Sequence, residues 1–303
     1  MGRKAPRTWP DTPVALAGPV MDNHTHLPLR EEEIPRADGV RLPLDTQLER
    51  ATEVGVTRVV TSACSTPDFD AALDLARAHI GIRVALAIHP NEAALHAGCT
   101  SPSPDGLVPQ RLEHHVPLIE ALEQVACRLA DPMVVAVGES GLDHYRTAED
   151  GWEAQAESFR AHLEMARLHD LPLQIHDRDA HADTLEILQD SATGDQPIVF
   201  HCFSGDAEMA RVLRSHDWYT SFAGPLTYPA NQRLRDALAE MPRELVLVET
   251  DAPYLTPVPW RGSPNASYVM AHTVRAIAAA WGIDERDACA QLMRNSHRVY
   301  GAW

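Results

Sequence analysis

Val134-Val135-Ala136-Val137-Gly138-Glu139 is an unbroken apolar run that stops on a carboxylate. A run that is apolar at every position marks a strand buried on both faces, as in a parallel sheet covered by helices. Working outward in both directions, the same unit recurs. Short apolar runs end near Asp22, Ser62, His89, Glu139, His176, His201, Ala223 and Asp251, eight in all. Between them, Asp68 to His79, Glu153 to His169, Ala207 to His216 and Asn231 to Glu240 carry the helical period. Tyr268 to Tyr300 is predicted to supply closing helices. Strand and helix alternating from end to end predicts repeated βα units, and eight of them predict the α/β class as a closed (β/α)8 TIM barrel.

A chain of 303 residues, 45% hydrophobic and 23% charged, is long enough for one such barrel and its core. Residues 1–16 read as a polar N-terminal tail and 17–303 as a single barrel domain. Pro28 to Pro43 and Cys99 to Pro109 read as surface excursions inserted into the repeat. No segment approaches the run of about 20 apolar residues that crosses a bilayer, and Val14 to Ala17 is too short for a signal peptide. A cytoplasmic protein without a membrane partner is expected, and no obligate protein partner is evident. Five cysteines without paired spacing are expected to be reduced core thiols. A net charge of −17 excludes a surface that grips nucleic acid broadly, because counterion release needs clustered basic residues. It leaves open a local, cation-lined site, where bound metal reverses the sign.

The ionisable residues at the strand ends are His24 and His26, His89, Glu139, His176, His201 and Asp251. In a barrel these ends face one rim, so residues distant in sequence meet there. In extended chain His24 and His26 point the same way and suit a shared cation. A carboxylate ending a buried strand needs compensation, so Glu139 calls for metal or for an ion pair, with Arg146 as the alternative partner. His176 and His201 end apolar runs in the same manner. Asp251, followed by Ala252-Pro253, either ligates metal or accepts a proton from water; pairing with Glu249 is the structural alternative. His89 either contacts substrate or caps its own loop before Pro90. His114 and His115 receive no role.

The blocks MDNHTH (21–26), AIHPNEA (87–93), AVGESGLDHYR (136–146), LPLQIHDRDAH (171–181), VFHCFSG (199–205) and LVETDAPYLTPVPWRG (247–262) resemble, in order, the TatD family of metal-dependent deoxyribonucleases. The similarity runs from about Val20 to the C-terminus. It implies a (β/α)8 barrel with a two-cation centre in which His24, His26 and Asp251 hold one cation, His176 and His201 the other, and Glu139 bridges them. It further implies removal of nucleotides from the 3′ end of DNA, with RNA as a second substrate. Three departures stand out. Asn265 is followed by Ala266-Ser267 where the family commonly has Glu-Pro, His144 stands where an aromatic residue is frequent, and the inserts are long.

Four imidazoles with two carboxylates suit Zn, Mn, Fe or Ni better than Mg. Two such cations favour in-line displacement at phosphorus. Asp251 is the candidate general base, with Glu139 also catalytic through the shared cations; His89, Asp143, Arg146 and Arg261 are candidates for substrate contact. A rival hydrolytic reading is ester or amide cleavage, for example deacylation of D-aminoacyl-tRNA, and a rival from another class is a metal-binding protein without turnover. A carboxylated-lysine dimetal site is excluded, because the only lysine, Lys4, lies in the tail.

Overall fold

The structure, a computed structural model, describes residues 7–192 and 194–303. Lys4 and the start of the N-terminal tail lie outside the described residues. The elements follow one another as β1 (Val20–Thr25), α1 (Leu44–Val54), β2 (Val56–Ala63), α2 (Phe69–Ala78), β3 (Ile82–Leu86), α3 (Pro90–His96), α4 (Leu118–Ala126) and β4 (Val134–Asp143). They continue with α5 (Trp152–Leu168), β5 (Leu173–Arg178), α6 (His181–Ser191), β6 (Ile198–Phe200), α7 (Ala207–Ser215), β7 (Tyr219–Phe222), α8 (Gln232–Glu240), β8 (Val246–Val248), α9 (Ala271–Trp281) and α10 (Glu285–Tyr300). The eight strands form one sheet in the order β1-β2-β3-β4-β5-β6-β7-β8, the (β/α)8 arrangement of a single domain. By packing, the chain divides into two compact units, one running to Thr61 and resuming at Gly205–Arg298, the other spanning Ser62–Ser204.

In the first unit β7 pairs in parallel with β8, and β1 with β2. The last strand returns to the first: Asp251 N donates to His24 O at 3.1 Å and His26 N to Ala252 O at 2.8 Å. Asn23 ties the same seam from its side chain, donating to Val248 O at 2.6 Å and Ser221 Oγ at 2.7 Å. Asp206 caps α7 by accepting from the backbone N–H groups of Glu208 and Met209, and the helix buries Met209, Ala210 and Leu213. The N-terminal segment is docked against this unit. Tyr268 Oη donates to Pro10 O, Arg275 to Val14 O, and Leu16 N to Val54 O.

The second unit holds β3 to β6, with β3-β4, β4-β5 and β5-β6 parallel. Helix α2 buries Phe69, Ala72, Leu73 and Ala76, the spacing of one helical face. Truncating Phe69, fully buried, would leave a cavity costing about 3–5 kcal/mol. Helix α5 buries His162, whose Nδ1 donates to Ser158 O at 2.7 Å while Nε2 accepts the Ile88 N–H at 3.0 Å.

Three expectations need correction. Glu139 and His176 are not strand-end residues. β4 continues to Asp143 and β5 to Arg178, because Gly141 lets the two strands press together, pairing Gly141 with His176. The Pro28 to Pro43 segment is not a free excursion, since Ile34, Ala37 and Leu42 are buried and Arg41 donates to Ile34 O. Of the five cysteines only Cys289 is buried, and Cys127 is exposed. Among the described residues no helix is long and apolar enough to cross a membrane.

Candidate metal centre

Each unit collects imidazoles around a carboxylate. In the first, the extended backbone of β1 delivers His24, and His26 follows directly after it. The two rings meet edge to face with centroids 5.1 Å apart. Asp251 Oδ1 lies 3.5 Å from His26 Nε2 and 3.9 Å from His24 Nε2. Asp251 adopts a left-handed backbone, φ +53°, which turns its side chain out of the line of β8. Behind it, Asn265 donates to the carbonyls of Thr250 and Tyr254 at 2.9 and 2.6 Å, fixing the loop on both sides of Asp251.

Asp22 lies under this group. Burial raises its carboxyl to about 7, against hydrogen bonds from Thr250 that favour the charged form, and nearby Glu249 adds to the rise. Thr250 donates to it twice, from N at 2.9 Å and from Oγ1 at 2.7 Å. Asp22 thus links β1 to the segment after β8, one residue short of Asp251. Residue type alone gives no sign of this role, because the signal is the buried Asp-Thr pair across the closing seam.

In the second unit Glu139 is buried, and both of its oxygens face imidazole. His201 Nε2 is 2.5 Å and His176 Nδ1 3.0 Å from Oε2, and His89 Nε2 is 3.9 Å from Oε1. Donor atoms of His89, Glu139 and His176 lie within 4.8 Å of one another. Burial pushes the Glu139 carboxyl up, but His201 and His89, with hydrogen bonds from His176 and His201, hold it well below its ordinary range. On the far side of His176, Nε2 is 3.1 Å from Asp143 Oδ2. Burial disfavours the His176 cation, but its bonds to Asp143 and Glu139 win and raise it to about 9. Such a set of nitrogen and carboxylate donors, held close on rigid strands, fits a transition metal in chemistry and spacing.

The remaining predicted residues are placed as follows. His89 caps α3, its Nδ1 accepting the Asn91 N–H at 3.1 Å, which leaves the proton of the neutral ring on Nε2, toward Glu139. The capping reading of His89 is thus the one the structure shows. Asp143 accepts the backbone N–H groups of Tyr145 and Arg146 on Oδ1 and faces His176 with Oδ2, so it orients a histidine rather than standing open to substrate. Arg146 does not reach Glu139 as the ion-pair alternative required; its Nε lies 2.9 Å from Asp105 in the Cys99 to Pro109 loop. Arg261 stacks over the Tyr228 ring at 4.5 Å. His144 stacks on Trp152 with ring centroids 3.9 Å apart.

A (β/α)8 barrel whose strands present grouped histidines and carboxylates defines the class of metal-dependent hydrolases. Within that class the chain belongs to the TatD family: the profile of TatD related DNase matches residues 21–301. It is 36% identical over 289 residues to the uncharacterized metal-dependent hydrolase TatD of Mycobacterium tuberculosis, covering 93% of this chain and 98% of that protein. It is 28% identical to the uncharacterized metal-dependent hydrolase YabD of Bacillus subtilis, with 93% and 98% covered. Among solved structures, the TatD homolog YjjV of Escherichia coli superimposes with a TM-score of 0.77 at 25% identity, covering 94% of this chain and 98% of that one. The chain is thus a metal-dependent hydrolase of the TatD family.

Proposed function

We propose that this hydrolase is a two-cation 3′–5′ exodeoxyribonuclease that cleaves phosphodiester bonds of DNA and accepts RNA as a second substrate. The reading rests on one observation above all. Glu139 is a buried carboxylate held ionised, with imidazole addressing each of its oxygens separately, as a residue shared between two cations requires. In this assignment His24, His26 and Asp251 hold one cation and His176 and His201 the other, with Zn, Mn, Fe or Ni favoured over Mg by the nitrogen donors. When bound, the cations make water acidic and neutralise charge that develops on phosphoryl oxygens.

The side chains do the rest. Asp251, the carboxylate among the first unit's histidines, takes the proton of the attacking water. His89 offers its Nε2–H to a phosphate oxygen, a role set by its capped Nδ1. Arg146 and Arg261 supply positive charge for the departing strand, while Asp143 holds the His176 ring in position.

The test uses 3′-labelled single-stranded, blunt duplex and closed circular DNA beside D-aminoacyl-tRNA, each with Mn, Zn and Mg. Nucleotide release from single-stranded 3′ ends with circles intact is expected. Deacylation without nucleotide release would replace the nuclease by an esterase, and cutting of circles would make it an endonuclease. Glu139→Ala is expected to lose more metal than Asp251→Asn, measured on folded protein, because Glu139 serves both cations.

A further inference from the structure

The segment that joins α3 to α4 gathers a second set of donors, none of them among the residues assigned above. Glu92 and His96 stand one turn apart on α3, and the joining segment brings the donors of His114 and His115 to Glu92 and their rings beside His96. Glu92 Oε2 lies 3.1 Å from His115 Nε2, 3.3 Å from His114 Nε2 and 3.2 Å from Ser65 Oγ. Donor atoms of Glu92, His114 and His115 are all within 4.8 Å of one another.

Hydrogen bonding fixes which nitrogens have lone pairs. His115 Nδ1 accepts the Leu112 N–H at 2.7 Å, so the neutral ring carries its proton on Nε2 and donates it to Glu92. His96 is the reverse case. Its Nδ1 donates to Val116 O at 2.7 Å, which leaves the lone pair on Nε2, and that atom is buried without a hydrogen-bond partner. His96 is 3% exposed, and burial keeps the ring below its ordinary pKa and therefore neutral. A buried acceptor left unmet is costly. An imidazole whose N–H is anchored on a backbone carbonyl, with its other nitrogen bare, is the form in which histidines ligate metal. The rings are neighbours: His96 lies 5.1 Å from His115 and 6.4 Å from His114 between centroids.

We propose that His96, His114 and Glu92 bind a structural transition-metal ion of the zinc class, with His115 holding the Glu92 carboxylate from outside the coordination sphere. Three protein ligands leave the fourth tetrahedral position to water, an open arrangement, so the clipping role rests on Glu92 and His96 coming from α3 and His114 from the joining segment. The ion clips the inserted segment onto α3. It thereby shapes the adjoining cavity of about 220 Å³, which Glu92, Leu95, Leu107 and Arg146 help to line. The site is thus a structural device beside a candidate substrate residue and takes no part in the proposed reaction.

Tightly held zinc, measured by elemental analysis after exhaustive dialysis of the full chain, tests the proposal in the wild-type and Glu139→Ala backgrounds. In each, His114→Ala, His96→Ala and Glu92→Gln are expected to lower the content by one equivalent, with the far-ultraviolet circular dichroism of the parent. His115→Gln, which keeps a donor for Glu92, is expected to retain it. Cobalt substitution gives a second readout, a visible tetrahedral band that disappears with His114→Ala. Unchanged content in folded His114→Ala and Glu92→Gln, or loss of the equivalent in His115→Gln but not in His96→Ala, would overturn the assignment. Failure of the two-cation reading would appear separately, as metal content indifferent to Glu139→Ala.

Discussion

Asp143 Oδ2 lies 3.1 Å from Nε2 of His176, and the other oxygen of Asp143 is pinned by the backbone N–H groups of Tyr145 and Arg146. The carboxylate thus sets the ring orientation of a histidine whose Nδ1 faces Glu139. Asp143→Asn keeps the size and the backbone bonds but removes the charge. It is expected to weaken metal binding about 10–100-fold, as loss of an outer-shell carboxylate does elsewhere. Competition against a chromophoric chelator measures it, and an unchanged affinity would refute the orienting role.

Metal loading should release a proton. In the metal-free protein His176 is raised to about 9, so at neutral pH its ring is charged and cannot ligate. The sign follows directly. Against an unfolded value near 6.5, the charged ring stabilises the metal-free fold below about pH 6.5, and that contribution is lost as pH rises through 9. Metal affinity runs the other way, rising with pH across the same window. Titration calorimetry in two buffers of different ionisation enthalpy gives the proton count, and a count of zero at pH 7 would contradict the charged ring.

Gly141 is a packing requirement rather than a loop convenience. Its φ is +141°, and a Cβ there would stand 2.1 Å from the His176 carbonyl oxygen. Gly141→Ala must force β4 from β5 at the level of Glu139 and His176, at a cost on the order of 3 kcal/mol. A lowered melting temperature together with reduced metal content in the folded fraction is expected. Full stability would show that the strands yield.

His162 supplies acid sensitivity away from the candidate centre. Burial depresses its pKa to about 4, against the opposing bond to Ser158 O. The unfolded ring takes up a proton near pH 6.5 while the folded ring stays neutral, so stability falls as pH drops from 6.5 toward 4, by about 3 kcal/mol from this residue. His162→Gln, able to bond both Ser158 O and the Ile88 N–H, is expected to flatten that part of the stability profile. Denaturant midpoints at pH 7 and pH 4.5 make the comparison.

The fold was legible because buried parallel strands write continuous apolar runs, and α2, α5, α7 and α8 lie within a residue or two of the predicted spans. Strand ends were less so. Apolar character stops at Glu139 and His176, yet the backbone ladder runs on past both, because hydrogen bonding between strands does not depend on whether a side chain is polar. The residues that gather in each group could be found from residue type and position at the end of an apolar run. What orients them could not: Asp22 under Thr250, Asn265 behind Asp251 and Asp143 behind His176 are polar residues whose meaning lies in partners brought by other segments. The His96 and His115 tautomers were equally hidden, since each is decided by one backbone group of the intervening loop.

The seam between β8 and β1 carries a consequence for biosynthesis. His24 and His26 leave the ribosome well over two hundred residues before Asp251 and the backbone groups that bond to them. A nascent polypeptide therefore cannot assemble this donor set until β8 and Asp251 have themselves been synthesised. A product truncated before Asp251 keeps the two imidazoles but lacks the carboxylate that faces them.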